Sequence, residues 1–359
     1  MEQEFWQGKR VLITGHTGFK GSWLSLWLHR LGAEVSGFAL PPPTQPSLYQ
    51  VAQLGSRVDS SFGDIRDPEA VQSVFEKSRP EIVFHMAAQP LVRRSYRDPV
   101  ETYSTNVMGT VQVLEAVHRF GNTRVVINIT SDKCYENREV LWGYRETDPI
   151  GGHDPYSSSK GCAELVAAAY RRSFFASSKT RLVSVRAGNV IGGGDWAEDR
   201  LVPDCIRAFS LGKPIVIRRP NAVRPWQHVL EPLSGYLQYA QKLFQGKELP
   251  DALNFGPGES DVQPVGKIVE RVAALWGEGA RLETQPNAGP HEAGLLTLDS
   301  TLARHTLGWI PRLNLEDALR FTVEWYREFQ SGSCMREITG DQILRYERLA
   351  SPFDTFKGR

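Results

Sequence analysis

Through its first 190 residues the chain alternates short apolar runs with segments of helical periodicity, and few architectures tolerate that pattern. Arg10–Thr14 (RVLIT) ends in Gly15 and reads as a buried parallel strand. Phe19–Leu31 then places Trp23, Leu24, Trp27, Leu28 and Leu31 at helical spacing, and Gly32 stops it. Strand-like runs return at Glu34–Ala39, Val58–Phe62, Glu81–Met86, Arg124–Thr130 and Arg181–Arg186. Helical patterns near Pro68–Lys77, Val100–Arg119 and Pro155–Phe175 lie between them. A parallel sheet covered by helices on both faces, the doubly wound α/β arrangement, satisfies this order.

Gly15-His16-Thr17-Gly18-Phe19-Lys20-Gly21 stands where the first strand gives way to the first helix. A phosphate settles at such a place because backbone N–H groups and the helix dipole point at it, and glycines let it approach. A glycine-rich turn without a ligand has the same composition, but the strand-to-helix position favours a dinucleotide and a Rossmann-type sheet. Lys20 either adds charge near the pyrophosphate or is a solvated first-turn residue. The second strand ends Gly37-Phe38-Ala39-Leu40-Pro41, with neither an acid for a ribose hydroxyl nor an arginine for a ribose phosphate, so it does not choose between NAD and NADP. Asp64 and Ile65 follow the third strand, and Ala87, Ala88 and Gln89 follow the fourth, where a cofactor needs clearance.

Past residue 190 the texture changes to glycines (Gly192, Gly193, Gly194) and prolines (Pro203, Pro214, Pro220, Pro225). Helices are expected near Asp199–Leu211, Pro232–Phe244 and Pro264–Trp276, with a strand at Ala252–Phe255. The expected organisation is a dinucleotide-binding domain over 1–190, to which later elements return, and a smaller C-terminal substrate lobe over 191–359.

Composition excludes several classes. Of 359 residues 41% are hydrophobic, and 42 Lys and Arg face 41 Asp and Glu, whereas a disordered chain is less apolar and further from neutrality. A net charge of +1 leaves no footprint for nucleic acid or an anionic membrane. No run reaches the roughly 18 uninterrupted apolar residues of a spanning helix. The opening MEQEFWQGKR leads straight into the first strand, so no signal peptide is expected. Cys134, Cys162, Cys205 and Cys334 form no C-x-x-C pair, as reduced cytoplasmic thiols would. His153, His228 and His291 show no metal-ligand spacing, and no metal is expected.

Tyr156-Ser157-Ser158-Ser159-Lys160 puts a phenol and an ammonium one turn apart on one helix face. A nearby ammonium stabilises phenolate and makes the tyrosine a usable general base. A surface tyrosine beside a solvated lysine has the same spacing. Here the pair follows a strand ending in Thr130-Ser131, and Ser131 can hold the oxygen that Tyr156 deprotonates. Asp132 and Lys133 are either proton-transfer groups at that strand end or a salt-bridged loop pair. Arg224, in Arg-Pro-Trp, is the best phosphate clamp because a guanidinium grips phosphate with two prongs. Arg218 and Arg219 either add to its field or are exposed edge charges.

The glycine loop, Asp64, the His85–Gln89 segment, Asn106, Ser131 and the Tyr156/Lys160 pair, in that order, resemble the extended short-chain dehydrogenase/reductase family over essentially the whole chain. Within it, Gly15–Gly21, Thr130–Tyr135 and Val223–Val229 are similar to the nucleotide-sugar 4,6-dehydratases, in particular those acting on CDP-glucose. The resemblance implies NAD held by Gly15, His16, Thr17, Gly18, Phe19, Lys20, Gly21, Asp64, Ile65, Ala87, Ala88, Gln89, Asn106, Tyr156 and Lys160. It implies a catalytic set of Ser131, Asp132, Lys133, Tyr156 and Lys160, and a nucleotide-sugar held by Gln89, Ser131, Asn189 and Arg224. It further implies a homodimer joined through a four-helix bundle, possible higher assembly, and a product used for deoxysugars of surface polysaccharide. The better-known dTDP-glucose enzymes have Asp-Glu where Asp132-Lys133 stands. Lys133 is then either the carbon-5 base or an orienting group, with Tyr156 or a water as base. The rival readings are another nucleotide-sugar dehydratase or 4-epimerase, and an NAD-binding regulator that has no need of Ser131, Tyr156 and Lys160.

Overall fold

A computed structural model describes residues 3–217, 219–284 and 294–349. Its strands are β1 (Arg10–Thr14), β2 (Glu34–Ala39), β3 (Asp59–Phe62), β4 (Ile82–His85), β5 (Val125–Ile129), β6 (Arg181–Ala187), β7 (Asn189–Ile191), β8 (Pro214–Ile217), β9 (Val223–His228), β10 (Ala252–Phe255), β11 (Val262–Pro264) and β12 (Arg281–Thr284). Seven of them form one parallel sheet in the order β10-β6-β5-β4-β1-β2-β3. The order reverses between β1 and β4, and a crevice for ligands opens outside the carboxyl ends of the strands at such a switch point.

Nine helices matter to the site: α1 (Phe19–Arg30), α2 (Pro68–Ser78), α3 (Gly109–Phe120), α4 (Pro155–Ser173), α5 (Leu201–Ser210), α6 (Leu230–Phe244), α7 (Val265–Trp276), α8 (Leu315–Gln330) and α9 (Met335–Arg348). Successive strand residues point to opposite faces, and both faces of this sheet are apolar. Leu12, Val83 and Val126 join Val74, Leu114 and Ala167 of α2, α3 and α4 in one core. Ile13, Phe84 and Ile127 join Trp23, Tyr236, Trp325 and Tyr346 of α1, α6, α8 and α9 in the other. That second core draws on both halves of the chain, and β10 completes the edge of the main sheet. The boundary at residue 190 separates two sequence textures rather than two cores.

Local signals set the helix that carries the Tyr-Lys pair. Asp154 caps α4, accepting from the Ser157 N–H at 3.0 Å, and Pro155 takes the first position, where no N–H is needed. The helix expected over Val100–Arg119 runs without a gap from Pro99 to Phe120, as Pro99–Tyr103, a π-helical turn over Ser104–Met108, and α3. The turn falls where Asn106 reaches out to neighbouring elements, a usual setting for a π-bulge. Beyond residue 190, β7 pairs with β9 and β9 with β11, while β8 pairs with β12.

The last helices are tied down by one carboxyl. Glu231, in the first turn of α6, accepts from the backbone N–H groups of Arg312 at 2.9 Å and Leu313 at 2.7 Å, and from the Tyr346 hydroxyl at 2.7 Å. Tyr346 packs edge-on against Trp27 of α1 at 5.7 Å. Burial pushes the Glu231 carboxyl up from 4.5 to about 7, against those hydrogen bonds. A folded-state value above the unfolded one means that the fold holds the extra proton between them. The stability contributed by this group is therefore full below about 4.5 and is lost as pH rises through about 7. Glu231→Gln keeps an acceptor for both N–H groups and removes the titration. Its urea midpoint is expected to vary less than the wild type's from about pH 5 to about pH 8 and to exceed it at the upper end. An unchanged slope would show that the charge is not the cause.

Candidate active site

The glycine loop is shaped for a ligand backbone. A side chain on Gly15 (φ +78°) would place its Cβ 2.7 Å from the Ala87 nitrogen, and one on Gly21 would stand 2.2 Å from the Gly15 carbonyl oxygen. Gly18, at the head of α1, caps it without any side-chain hydrogen bond. The first N–H groups of α1 are thus left without a side-chain cap at the mouth of the crevice, the arrangement that suits a dinucleotide diphosphate. Thr17 Oγ1 donates to the Leu40 carbonyl at 2.9 Å and ties the loop to the end of β2.

The two unusual loop residues diverge. His16 is buried with its ring over Gly37, where a Cβ would meet it at 2.2 Å, and its Nε2 lies 3.1 Å from Ser60 Oγ. Burial lowers His16 to about 4, so it is a neutral brace for β2 and β3. Lys20 and Phe19 line the cavity. Lys20 Nζ donates to the Tyr236 hydroxyl at 3.4 Å, and burial, with the charges of Lys160 and Arg200 nearby, lowers it to about 7.

Asp64 holds Arg66 in a fork at 2.5 and 2.9 Å, and Ile65 is buried against Gly109. Ala88 lines the cavity, and Ala87 closes over Gly15. Gln89 is turned to local use: its amide donates to the Leu91 carbonyl at 3.1 Å and Thr102 Oγ1 at 2.9 Å and accepts from the Leu91 N–H at 2.6 Å. Asn106 accepts from the Gln89 N–H at 2.8 Å and donates to Ser159 Oγ of α4 at 2.9 Å. Gln89 and Asn106 brace the loop after β4 against α4, and neither is on the described cavity wall.

Ser131, Asp132 and Lys133 turn off the carboxyl end of β5, and Tyr156 and Lys160 face them from α4. Ser131 Oγ donates to Asp132 Oδ1 at 2.8 Å, and Ser131 and Tyr156 line the same cavity. Burial pushes the Tyr156 phenol up to about 12; the Ser131 hydroxyl and the Arg200 guanidinium oppose the rise, and the Asp132 carboxylate adds to it. Lys160 Nζ donates to the Ile129 carbonyl at 3.3 Å, and burial lowers it to about 8 against the attraction of Glu164. Asp132 is fully buried. Its Oδ1 accepts from Ser131 Oγ at 2.8 Å and Lys133 Nζ at 3.2 Å, and its Oδ2 has no protein partner. Gly188 leaves room there, since a Cβ on it would approach that oxygen to 3.3 Å. The pair therefore offers a carboxyl oxygen and an amine for proton transfer beside Tyr156 and Lys160.

One cavity of about 790 Å³ joins Ser131, Lys133, Tyr156 and Lys160 to the second half of the chain, with Asp132 buried just behind its wall. Asn189 on β7, Arg219, and Arg224 on β9 line it, and Arg224 is steered by the carbonyls of Val223 at 2.8 Å and Gly294 at 3.3 Å. Arg218 and His291 lie outside the described residues. Among the described residues no three His, Cys, Asp or Glu side chains gather as a metal site. Sequence reasoning missed Arg200, which lines the same cavity and pairs with Asp195 at 2.7 Å. Its only signal was a charged run after three glycines.

Residues 12–322 match the family described as GDP-mannose 4,6 dehydratase, and the chain belongs to that family. It is 54% identical over 352 residues to the CDP-glucose 4,6-dehydratase of Salmonella typhimurium, with 96% of this chain and 98% of that one covered. It is 25% identical to the dTDP-glucose 4,6-dehydratase of Haemophilus influenzae over 88% of this chain and 97% of that one. The crystal structure of Thermus thermophilus UDP-glucose 4-epimerase in complex with NAD matches with a TM-score of 0.78 at 25% identity, covering 89% of this chain and 99% of that one.

Behind the reaction centre Arg186 grips Glu164 at 3.0 and 2.9 Å, both buried, and Thr130 donates to the same carboxylate. Glu164 lies one turn beyond Lys160 on α4, so this pair locks the catalytic helix against β5 and β6. Glu164→Ala would strand a buried guanidinium, and a loss of about 3–5 kcal/mol is expected in urea unfolding. A loss below about 1 kcal/mol would mean that water or another group replaces the carboxylate.

Proposed function

We propose that the chain is an NAD-dependent CDP-glucose 4,6-dehydratase. The observation that carries this reading is the buried Asp132 carboxylate, one oxygen unpartnered, bonded to Ser131 and Lys133 within reach of Tyr156. Oxidation at one carbon needs only a hydroxyl-holding group and a base. A second proton-transfer pair beside them fits a reaction that also eliminates water. The identity to the Salmonella typhimurium enzyme supports CDP-glucose as the substrate, and the NAD complex of the Thermus thermophilus relative supports the cofactor.

The residues fit NAD: Gly15, Gly18 and Gly21 would admit its diphosphate, and Tyr156 and Lys160 would meet its ribose side. When bound, the nicotinamide accepts and returns the reducing equivalents. Ser131 holds the carbon-4 oxygen while Tyr156 takes its proton, and the resulting ketone makes the carbon-5 proton acidic. Lys133, when neutral, removes that proton, and Asp132, when protonated, delivers one to the departing carbon-6 hydroxyl, so that one water leaves; the Lys133 ammonium then returns its proton to carbon 5 as carbon 6 is reduced. Asn189 and Arg224 hold the diphosphate, where a guanidinium makes paired hydrogen bonds. The product, CDP-4-keto-6-deoxyglucose, would feed deoxysugars for surface polysaccharide.

The same reading extends to assembly and location. Val100 (80% exposed), Leu165 (62% exposed), Tyr103 and Met108 leave apolar surface on α4 and the neighbouring helical segments. A two-fold partner covering it would form a four-helix bundle. Four free cysteines fit the cytoplasm, and no described helix is long and apolar enough to cross a membrane.

Incubation with NAD and a panel of nucleotide-glucoses, read by mass spectrometry, tests the reading. CDP-glucose is expected to lose one water with no net change in nicotinamide absorbance. A product of unchanged mass would indicate an epimerase, and lasting reduction of the added cofactor an ordinary dehydrogenase. Asp132→Asn is expected to dehydrate about 100-fold or more slowly while nicotinamide absorbance still rises on mixing with substrate. Wild-type dehydration in that variant would remove Asp132 from the elimination.

A further inference from the structure

Arg200 is placed by a relay that begins in the C-terminal part of the chain. The residue immediately precedes α5, and its guanidinium lies in the cavity wall with Nη1 2.7 Å from Asp195 Oδ2. Asp195 is buried, and its other carboxyl oxygen accepts from the Ala197 N–H at 3.1 Å. Its backbone is clamped by one hydroxyl: Tyr326 of α8 accepts from the Asp195 N–H at 3.1 Å and donates to the Asp195 carbonyl. Burial and the Asp195 carboxylate push the Tyr326 phenol well up, so it remains a donor.

The surroundings leave that clamp little freedom. A Cβ on Gly193 would fall 2.0 Å from the Trp325 ring, and the Gly193 carbonyl accepts from Trp23 Nε1 of α1 at 2.9 Å. Trp196 packs edge-on against Trp325 at 5.6 Å and Tyr326 at 5.9 Å. Packing alone would hold the loop without a hydroxyl. The hydroxyl instead fixes the one residue whose carboxylate aims Arg200.

Arg200 and Tyr156 line the same cavity, and there the guanidinium favours ionisation of the phenol while Asp132, at the end of β5, and Asp154, at the head of α4, oppose it. Lys160, on the same helix, has its ammonium on the Ile129 carbonyl. We propose that Tyr326 is a positioning residue for the reaction centre: it fixes Asp195, Asp195 aims Arg200, and the Arg200 guanidinium helps the Tyr156 phenol release its proton. The proposal rests on Tyr156 being the general base of the reaction read above.

Tyr156 ionisation can be followed without any sugar, by NMR of the protein carrying 13Cζ-tyrosine, alone and with NAD, with Tyr156→Phe for assignment. Arg200→Gln and Tyr326→Phe are each expected to raise its midpoint by about one pH unit, a tenfold smaller phenolate fraction at a given pH. The double variant should go no further than Arg200→Gln alone, and Arg200→Lys should restore most of the shift. On CDP-glucose, Tyr326→Phe should lower kcat about tenfold on the acid side with KM unchanged. If Tyr326→Phe does not fold, Asp195→Ala serves. Losing a carboxylate would by itself lower the midpoint, so a rise there supports the relay and a fall overturns it. An unchanged midpoint in folded Arg200→Gln or Tyr326→Phe also overturns it. If the shifts occur but no nucleotide-glucose is dehydrated, the relay stands and the assigned reaction falls.

Discussion

One buried chain of hydrogen bonds holds the switch point of the sheet together. Thr14 Oγ1, at the end of β1, lies 2.8 Å from His85 Nδ1 at the end of β4, and His85 Nε2 lies 3.0 Å from Thr110 Oγ1 on α3. Thr110 donates to the Asn106 carbonyl at 2.7 Å, and Asn106 reaches Ser159 on α4, whose hydroxyl donates to the Tyr156 carbonyl at 2.7 Å. Burial lowers His85 to about 3, so the ring is neutral, with one N–H and one acceptor. Thr14 already accepts from the N–H groups of Met86 and Ala87, so its proton goes to Nδ1 and the ring proton sits on Nε2. That direction satisfies every member. The glycine loop and the Tyr-Lys helix, about 140 residues apart in sequence, thereby become parts of one rigid frame.

On that frame the electrostatics are set by burial. Lys133 pairs with the buried Asp132 and Arg200 with the buried Asp195, and burial with repulsion from Lys160 and Arg200 holds Lys20 well below the usual lysine range. Such a site favours an anionic ligand, and a nucleotide-sugar brings two phosphates. The unpartnered oxygen of Asp132 is costly unless a water or a substrate group meets it. A hydroxyl about to leave as water is the group the elimination would place there.

Much of this was legible in the sequence because it is local. The strands from Arg10–Thr14 to Arg181–Arg186 lie within a residue or two of where apolar runs placed them. The glycine loop, the four-residue Tyr156–Lys160 spacing and the Asp132-Lys133 step each carry their chemistry within a few residues. What escaped depends on distant partners. His16 turns inward because Gly37, on another strand, has no side chain, and Gln89 folds its own loop because Thr102 and Asn106 meet it. Arg200 is aimed by Tyr326, far downstream on a helix that apolar periodicity alone did not mark as part of the site. β7 and β11 were missed because they are three residues long, and β9 because it carries Pro225, which reads as a break.

Deuterium tracing tests the central claim, that oxidation and elimination occur on one sugar in one active site. CDP-glucose labelled with deuterium at carbon 4 should yield a dehydrated sugar carrying that deuterium at carbon 6, read by NMR of the product. A dehydrated product without deuterium at carbon 6, or a labelled sugar recovered at its original mass with the label still on carbon 4, would contradict it.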